Sequence, residues 1–283
     1  MDLDFWGFRR WPFERSFAAD RFFSSPIHEE AMARLLFLVE EFRRTGIVIG
    51  AAGTGKTYLL KLFQQRSERS GRLTVRCDAT GLDGHELVGQ VANGCLAACD
   101  SDASSARIWN ALQARFAALA LIQQPVVMIF DHFDLVEFSC QQSVCRLRQL
   151  ADAIGLKLTI ILATSNRVIS SALQDLIELR IDLVPWTIAE TKEFITTAIA
   201  QTGVSHEIFT DGAIHSIHDF TGGVPANIVS LCNLSLYAAM GGDEQIVTRE
   251  LIEAAVGEMP ARTGNRLGRQ REPTIDPVLE LKV

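Results

Sequence analysis

The chain has 283 residues, 48% of them hydrophobic and 22% charged, with a formal net charge of -7. This composition describes an ordinary globular protein of one large or two modest domains, and its acidity argues against a surface that seeks nucleic acid over its whole extent. The apolar stretches ALALI and VVMIF are separated by Gln-Gln-Pro, and each falls short of the roughly 20 residues that cross a bilayer, so no membrane span is expected.

The opening MDLDFWGFRRWPF is acidic first and aromatic after, without the basic start and long apolar core of an export signal, which points to the cytoplasm. Residues 1–23 read as an aromatic N-terminal arm. Across 24–185, short β-branched runs alternate with longer amphipathic ones, the pattern of βα units around a parallel sheet buried on both faces. The expected strands are 47–50, 73–78, 126–131, 158–164 and 179–183; the expected helices are 29–44, 56–70, 85–99, 104–122, 140–153 and 168–178. After Pro185 apolar residues recur only at helical spacing. Segment 186–258 therefore reads as a separate helical piece, with helices near 188–202, 211–220, 225–240 and 248–257. Thr187 and Glu190 are placed as a capping box for the first, and Thr248 caps the last. Gly222-Gly223 ends the second, and Pro225 suits the first turn of the third.

The remainder, 259–283, contains Arg262, Arg266, Arg269 and Arg271 followed by Pro273 and Pro277. It reads as a solvated, disordered tail, with contact to nucleic acid or an acidic partner left open as the other reading. The cysteines Cys77, Cys95, Cys99, Cys140, Cys145 and Cys232 form no C-x-x-C pair and have no histidine at ligand spacing, so reduced, packing thiols are expected.

The strongest chemical signal is Gly50-Ala51-Ala52-Gly53-Thr54-Gly55-Lys56-Thr57, which satisfies G-x-x-x-x-G-K-[ST] between an apolar strand and an amphipathic helix. Gly53 and Gly55 let the backbone wrap a phosphate, so that successive amides and the helix N-terminus face the anion. Lys56 would reach the β- and γ-phosphates and the Thr57 hydroxyl would bind Mg²⁺; Tyr58 completes the expected ATP-binding segment. A carboxylate at the end of another strand must share the metal, and Asp131 after VVMIF fits. Thr164-Ser165-Asn166, closing the strand at 158–164, can present a polar tip to the γ-phosphate or an attacking water.

Taken together, a phosphate loop, a strand ending in Asp, a T-S-N-R strand tip and a helical C-terminal piece resemble the AAA+ ATPases. With the stretch FWGFRRWPFERSFAADRFFSSPIHEEAMARLLFLVEEFRRTGIVIGAAGTGKT included, the resemblance narrows to the ExeA/GspA-type ATPases of the general secretion pathway. PWTIAETKEFI, IFTDGAIHSIHDFTGGVPANIVSLC and IVTRELIEAAV extend it through the helical piece, and the TniB/TnsC-type transposition ATPases are the nearest alternative. The resemblance implies an α/β P-loop NTPase αβα core with a parallel five-stranded sheet, followed by an all-helical lid. It implies ATP and Mg²⁺ as ligands, Lys56 and Thr57 as the Walker A pair, Asp131 as the Walker B carboxylate and Asn166 as sensor 1. It also implies that Arg180 reaches a neighbouring subunit's nucleotide, that Ser24 to His28 lies near the adenine, and that the partner is a second copy or another protein.

The departures are specific. His132 stands where the family has its catalytic glutamate, and Ala226 follows Gly222-Gly223-Val224-Pro225 where a sensor-2 arginine is usual. His132 reads either as a packing or hydrogen-bonding residue or as a base, and Asp134 could position water. Two readings follow: an AAA+ ATPase with slow turnover that depends on assembly, or an ATP-gated switch or scaffold with little hydrolysis. A DNA-associated transposition-type regulator is a third, disfavoured by the acidic charge.

Overall fold

The computed structural model describes residues 3–14, 23–99, 103–165 and 170–258. Its centre is a five-stranded, all-parallel sheet of β1 (Thr45–Ile49), β2 (Leu73–Asp78), β3 (Val126–Asp131), β4 (Leu158–Thr164) and β5 (Leu179–Asp182), in the order β2-β3-β4-β1-β5. Side chains alternate across it, so the uninterrupted apolar runs of β3 and β4 feed two cores at once. Met128, Phe130, Ile160 and Leu162 pack on one face under α4 (Gly84–Gly94), α5 (Ser105–Leu121) and α6 (Phe138–Ile154). Val127, Ile129, Ile161 and Ala163 pack on the other under α2 (Pro26–Glu40) and α3 (Lys56–Arg69). The α/β core expected from the sequence, helices on both faces of a parallel sheet, is what the chain forms.

Four elements differ from the sequence reading. The first core helix starts at Pro26 rather than 29, because a proline's fixed φ suits a helix's first turn. Of the helix expected over 168–178, the described residues form only the short α7 (Ser171–Gln174); Leu176 and Ile177 pack on the core, and the Glu178 amide already donates to the Thr45 carbonyl as the chain enters β5. The 3-10 turn Phe133–Leu135 after β3 was not anticipated, nor was the short α1 (Leu3–Trp6).

A third core lies beyond β5, in the helical lid of α8 (Ile188–Ala200), α9 (Asp211–Thr221), α10 (Pro225–Gly241) and α11 (Arg249–Glu258). Thr187 and Glu190 make the expected capping box at α8. Gly222 takes a left-handed φ of 60° after α9, and Pro225 opens α10. This core is completed by Trp6, Phe8, Trp11 and Phe13 of the N-terminal segment. Trp11 Nε1 donates to Asn233 Oδ1 (2.6 Å), and Asn233 Nδ2 donates back to the Phe13 carbonyl (2.9 Å).

Among the described residues no helix is long and apolar enough to cross a membrane. All six thiols are free and buried or half-buried; burial pushes the Cys95 thiol up to about 12 and Cys77 and Cys140 to about 11. The Arg-rich segment 259–283 lies outside the described residues.

Candidate functional site

The strands end in register along one edge of the sheet. Asp78 of β2 stands opposite Asp131 of β3, and Ile49 of β1 stands between Thr164 of β4 and Asp182 of β5. In open parallel sheets the crevice beyond these carboxyl ends is where ligands bind. Residues 50–57 leave β1 directly into it.

The loop is held from within. Gly53 and Gly55 have φ of 87° and 96°, left-handed values that a side chain would strain. Thr54 Oγ1 donates to the Ala51 carbonyl (2.9 Å), and Gly50 N–H donates to Thr164 O (3.2 Å), pinning the loop's start to β4. Lys56, at the first turn of α3, is 7% exposed. Its ammonium donates to the carbonyls of Gly50 and Ala51 and to Ser165 Oγ (3.2 Å), so the tip of β4 and the loop share one cation. Burial lowers its pKa, opposed by the charges of Asp134 and Asp131. Thr57 follows at the second position of α3 and is half-buried.

Two strands away, Asp131 is fully buried. Its Oδ1 accepts from the His132 amide (3.0 Å), while Oδ2 is buried without a hydrogen-bond partner among the described residues. Arg76 Nη1 lies 3.6 Å from that oxygen, close enough to balance its charge but beyond a hydrogen bond. A buried carboxylate oxygen left in this state is costly and suits a cation ligand.

The residue after it does not turn toward the loop. His132 has a φ of 54°, and its Nδ1 meets Asp78 Oδ1 at 3.1 Å across the β2–β3 pair. Hydrogen bonds from Thr80 are the main reason the Asp78 carboxyl stays below its ordinary value, with His132 adding to them. Asp134, in the 3-10 turn, accepts from the Ser165 amide (3.0 Å), which ties the β3 loop to the β4 tip. Asn166 lies outside the described residues. Arg180, on edge strand β5, is bonded to Asp182 of its own strand (Nη2 to Oδ1, 2.5 Å) and is 40% exposed. In the lid, Ala226 sits against the loop: its N–H donates to the Gly53 carbonyl (3.1 Å).

Beside the loop lies a cavity of about 650 Å³ between core, lid and N-terminal segment. Gly53, Gly55 and Tyr58 form one wall, Ser24 and His28 another, and Trp186, Phe194 and Asn227 a third, with Trp11 and Phe13 at the side. The sequence reading missed Asp78, Arg76, Trp186 and the arm aromatics. The carboxylate ending a strand in VRCDAT was a usable signal for Asp78; the others become neighbours only through the tertiary fold.

Residues 40–168 match the model of an AAA domain family. Over these residues the chain is similar to an AAA domain. The match runs from the end of α2 through β4 and includes both the loop and Asp131. The chain is 22% identical over 263 residues to general secretion pathway protein A of Aeromonas hydrophila, covering 90% of this chain and 48% of that protein. It thus spans about half the length of that relative and is GspA-like over the shared part. Among solved structures it is similar to Cdc6p of Pyrobaculum aerophilum (TM-score 0.69, 17% identity, 87% of this chain and 70% of that one). Similar too are Orc1 of Aeropyrum pernix in complex with DNA (0.66, 15%, 89% and 69%) and the RuvB branch migration motor of Thermotoga maritima (0.54, 15%, 87% and 72%). At these identities the likeness concerns the fold, an AAA+ core with its helical lid.

Proposed function

We propose that the AAA domain binds Mg-ATP in the crevice beyond β1, β4 and β3 and hydrolyses it slowly, using the cycle to move the lid and control assembly. The observation that carries this reading is a buried ammonium inside a glycine-rich loop, facing a buried carboxylate oxygen with no hydrogen-bond partner at the same sheet edge.

In this reading the amides of the loop cradle the phosphates and Lys56 exchanges its carbonyl contacts for phosphate oxygens, which reward a charged donor more strongly. Thr57 and Asp131 would hold Mg²⁺, whose chemistry is to neutralise charge on the phosphate oxygens. Among the described residues no cluster of three or more His, Cys, Asp or Glu side chains could hold a metal alone. That suits Mg²⁺, which takes few protein ligands beside phosphates and water. The cavity of about 650 Å³ has the size and aromatic walls for a nucleoside, with Tyr58, Ser24 and His28 beside it. Asp134 and Asn166 are assigned to the water side, and Arg180 would leave Asp182 to serve a neighbouring copy's nucleotide. Similarity to a general secretion pathway protein supports a secretion-type role; a second copy or a protein partner, met in the cytoplasm, completes the proposal.

A second reading, an ATP-gated switch with little turnover, is favoured by one feature: His132 is engaged by Asp78 rather than directed at the loop. Calorimetric titration with Mg-ATP, together with steady-state phosphate release over a range of protein concentrations, separates the two. Binding with release that rises with protein concentration supports the enzyme. Binding with no release above the Lys56→Ala background leaves the switch, and absence of binding removes both.

A further inference from the structure

The described structure links the loop to the lid by two hydrogen-bonded routes. In the first, the Ala226 N–H of α10 donates to the Gly53 carbonyl (3.1 Å). In the second, Trp186 Nε1 donates to Ser25 Oγ (3.1 Å), Ser25 Oγ meets His28 Nδ1 (2.8 Å) and His28 Nε2 meets the Thr54 carbonyl (3.0 Å). Chemistry fixes the directions, because an indole only donates and a carbonyl only accepts. His28 must carry its proton on Nε2, and the serine hydroxyl must donate to Nδ1. Trp186 stands where the core passes into the lid, and its own N–H donates to the Gly223 carbonyl (2.8 Å), three residues before Ala226. The two routes therefore close into a ring.

Two details indicate that this ring is built for the loop rather than for the helix it crosses. Ser25 is the N-cap of α2, yet its side chain makes no capping bond; the hydroxyl is committed to His28 and Trp186. Ser25, His28 and Trp186 are 0%, 2% and 6% exposed, so these polar groups are removed from water and depend on one another. In a trans peptide the C=O and the following N–H point in opposite directions. A donor holding the Thr54 carbonyl on the α2 side thus turns the Gly55 N–H away from α2, toward the inside of the loop. His28 Nε2 would lie only 2.8 Å from a Cβ placed on Gly55, so the imidazole is braced directly against the peptide it orients.

We propose that His28 is a positioning residue for nucleotide phosphates: it sets the Gly55 amide, and through Ser25 and Trp186 it makes that setting depend on the junction between core and lid. The inference rests on the reading of the loop as a nucleotide site. It gives lid position a direct effect on phosphate affinity, without a side chain from the lid touching the phosphate.

The test is calorimetric titration of the full chain with Mg-ATP and, separately, with adenosine. His28→Leu should weaken ATP about tenfold, as expected for loss of an oriented donor, while changing adenosine much less. His28→Gln, whose carboxamide can still donate to Thr54, should recover most of the loss. Trp186→Phe should weaken ATP by a smaller factor and add nothing in the His28→Leu background. Equal losses for ATP and adenosine would make His28 a mere wall of the cavity and overturn the proposal, as would unchanged ATP affinity or strict additivity with Trp186→Phe. If His28→Leu does not fold, Ser25→Ala and Trp186→Phe carry the same comparison, and unchanged ATP affinity in both overturns it. If the unaltered chain binds no ATP, the nucleotide reading itself fails and takes this one with it, a result distinct from ATP binding that ignores His28.

Discussion

The glycine-rich loop and the end of β3 face one crevice but are built on opposite plans. In the loop, the Lys56 ammonium has three acceptors, and the carbonyls of Gly53 and Thr54 each meet an N–H from outside the loop. At β3, Asp131 Oδ2 has no hydrogen-bond partner, and His132 is bent into a left-handed backbone and engaged sideways with Asp78. A phosphate-binding element can have its cation and carbonyls held beforehand while its amides stay open for the anion. A metal and water side, as proposed for the end of β3, must keep groups unsatisfied, and here His132 is diverted to a neighbouring strand. In the proposed reading, binding and turnover rest on separable residues.

The comparison can be broken at its strong end first. Lys56→Ala should cost about a hundredfold in ATP affinity, since a buried cation meeting phosphate makes charge-assisted bonds with no substitute in the loop; nucleotide titration measures it, and retention of affinity would remove the loop from the site. His132→Glu should sharpen the other end, raising phosphate release by roughly 10- to 100-fold with affinity unchanged. Asp78→Asn, which loosens His132, should shift release by less and in the His132 background alone; an equal shift in the His132→Glu protein would show that Asp78 acts independently.

The smallest expected effect concerns pH. Burial holds the His28 imidazole below its ordinary value, against the Thr54 carbonyl and the charge of Glu190, which raise it. Below about 6.5 the unfolded chain takes up this proton and the folded chain does not until lower pH. The unfolded state binds more protons in that window, so stability falls as pH drops through it. In thermal melts His28→Gln should flatten the acid-side decline by on the order of 2 °C. An unchanged slope would mean that His28 titrates alike in both states.

Much of this was legible in the sequence because the sheet is buried on both faces. Runs such as VVMIF and LTIILAT cannot be read as one-sided strands, and β2, β3 and β4 begin and end where the runs do. The loop was legible because its glycines and lysine are fixed in spacing by the anion they would hold. Legibility failed where position depends on distant chain. Residues 168–178 have helical periodicity, but the sheet claims Glu178 through Thr45. Glu at position 132 would have been read as catalytic by its place alone, whereas the histidine's actual partner, Asp78, is 54 residues away. Ser25 stands at the N-cap of α2 yet makes no side-chain capping bond, because an indole 161 residues later claims its hydroxyl.

The N-terminal aromatics have a consequence for the order in which the molecule can be made. Trp6, Phe8, Trp11 and Phe13 finish a core whose other buried members run from Trp186 to Ile252, so the lid has contributions from both sides of the α/β core. On the ribosome, these aromatic side chains emerge before the α/β core and wait for partners about two hundred residues behind, Asn233 among them at a separation of 222. Closing so long a loop gains nothing until the core between has drawn its ends together. The α/β core is then the template on which the lid assembles, and the lid acquires its final packing after that core.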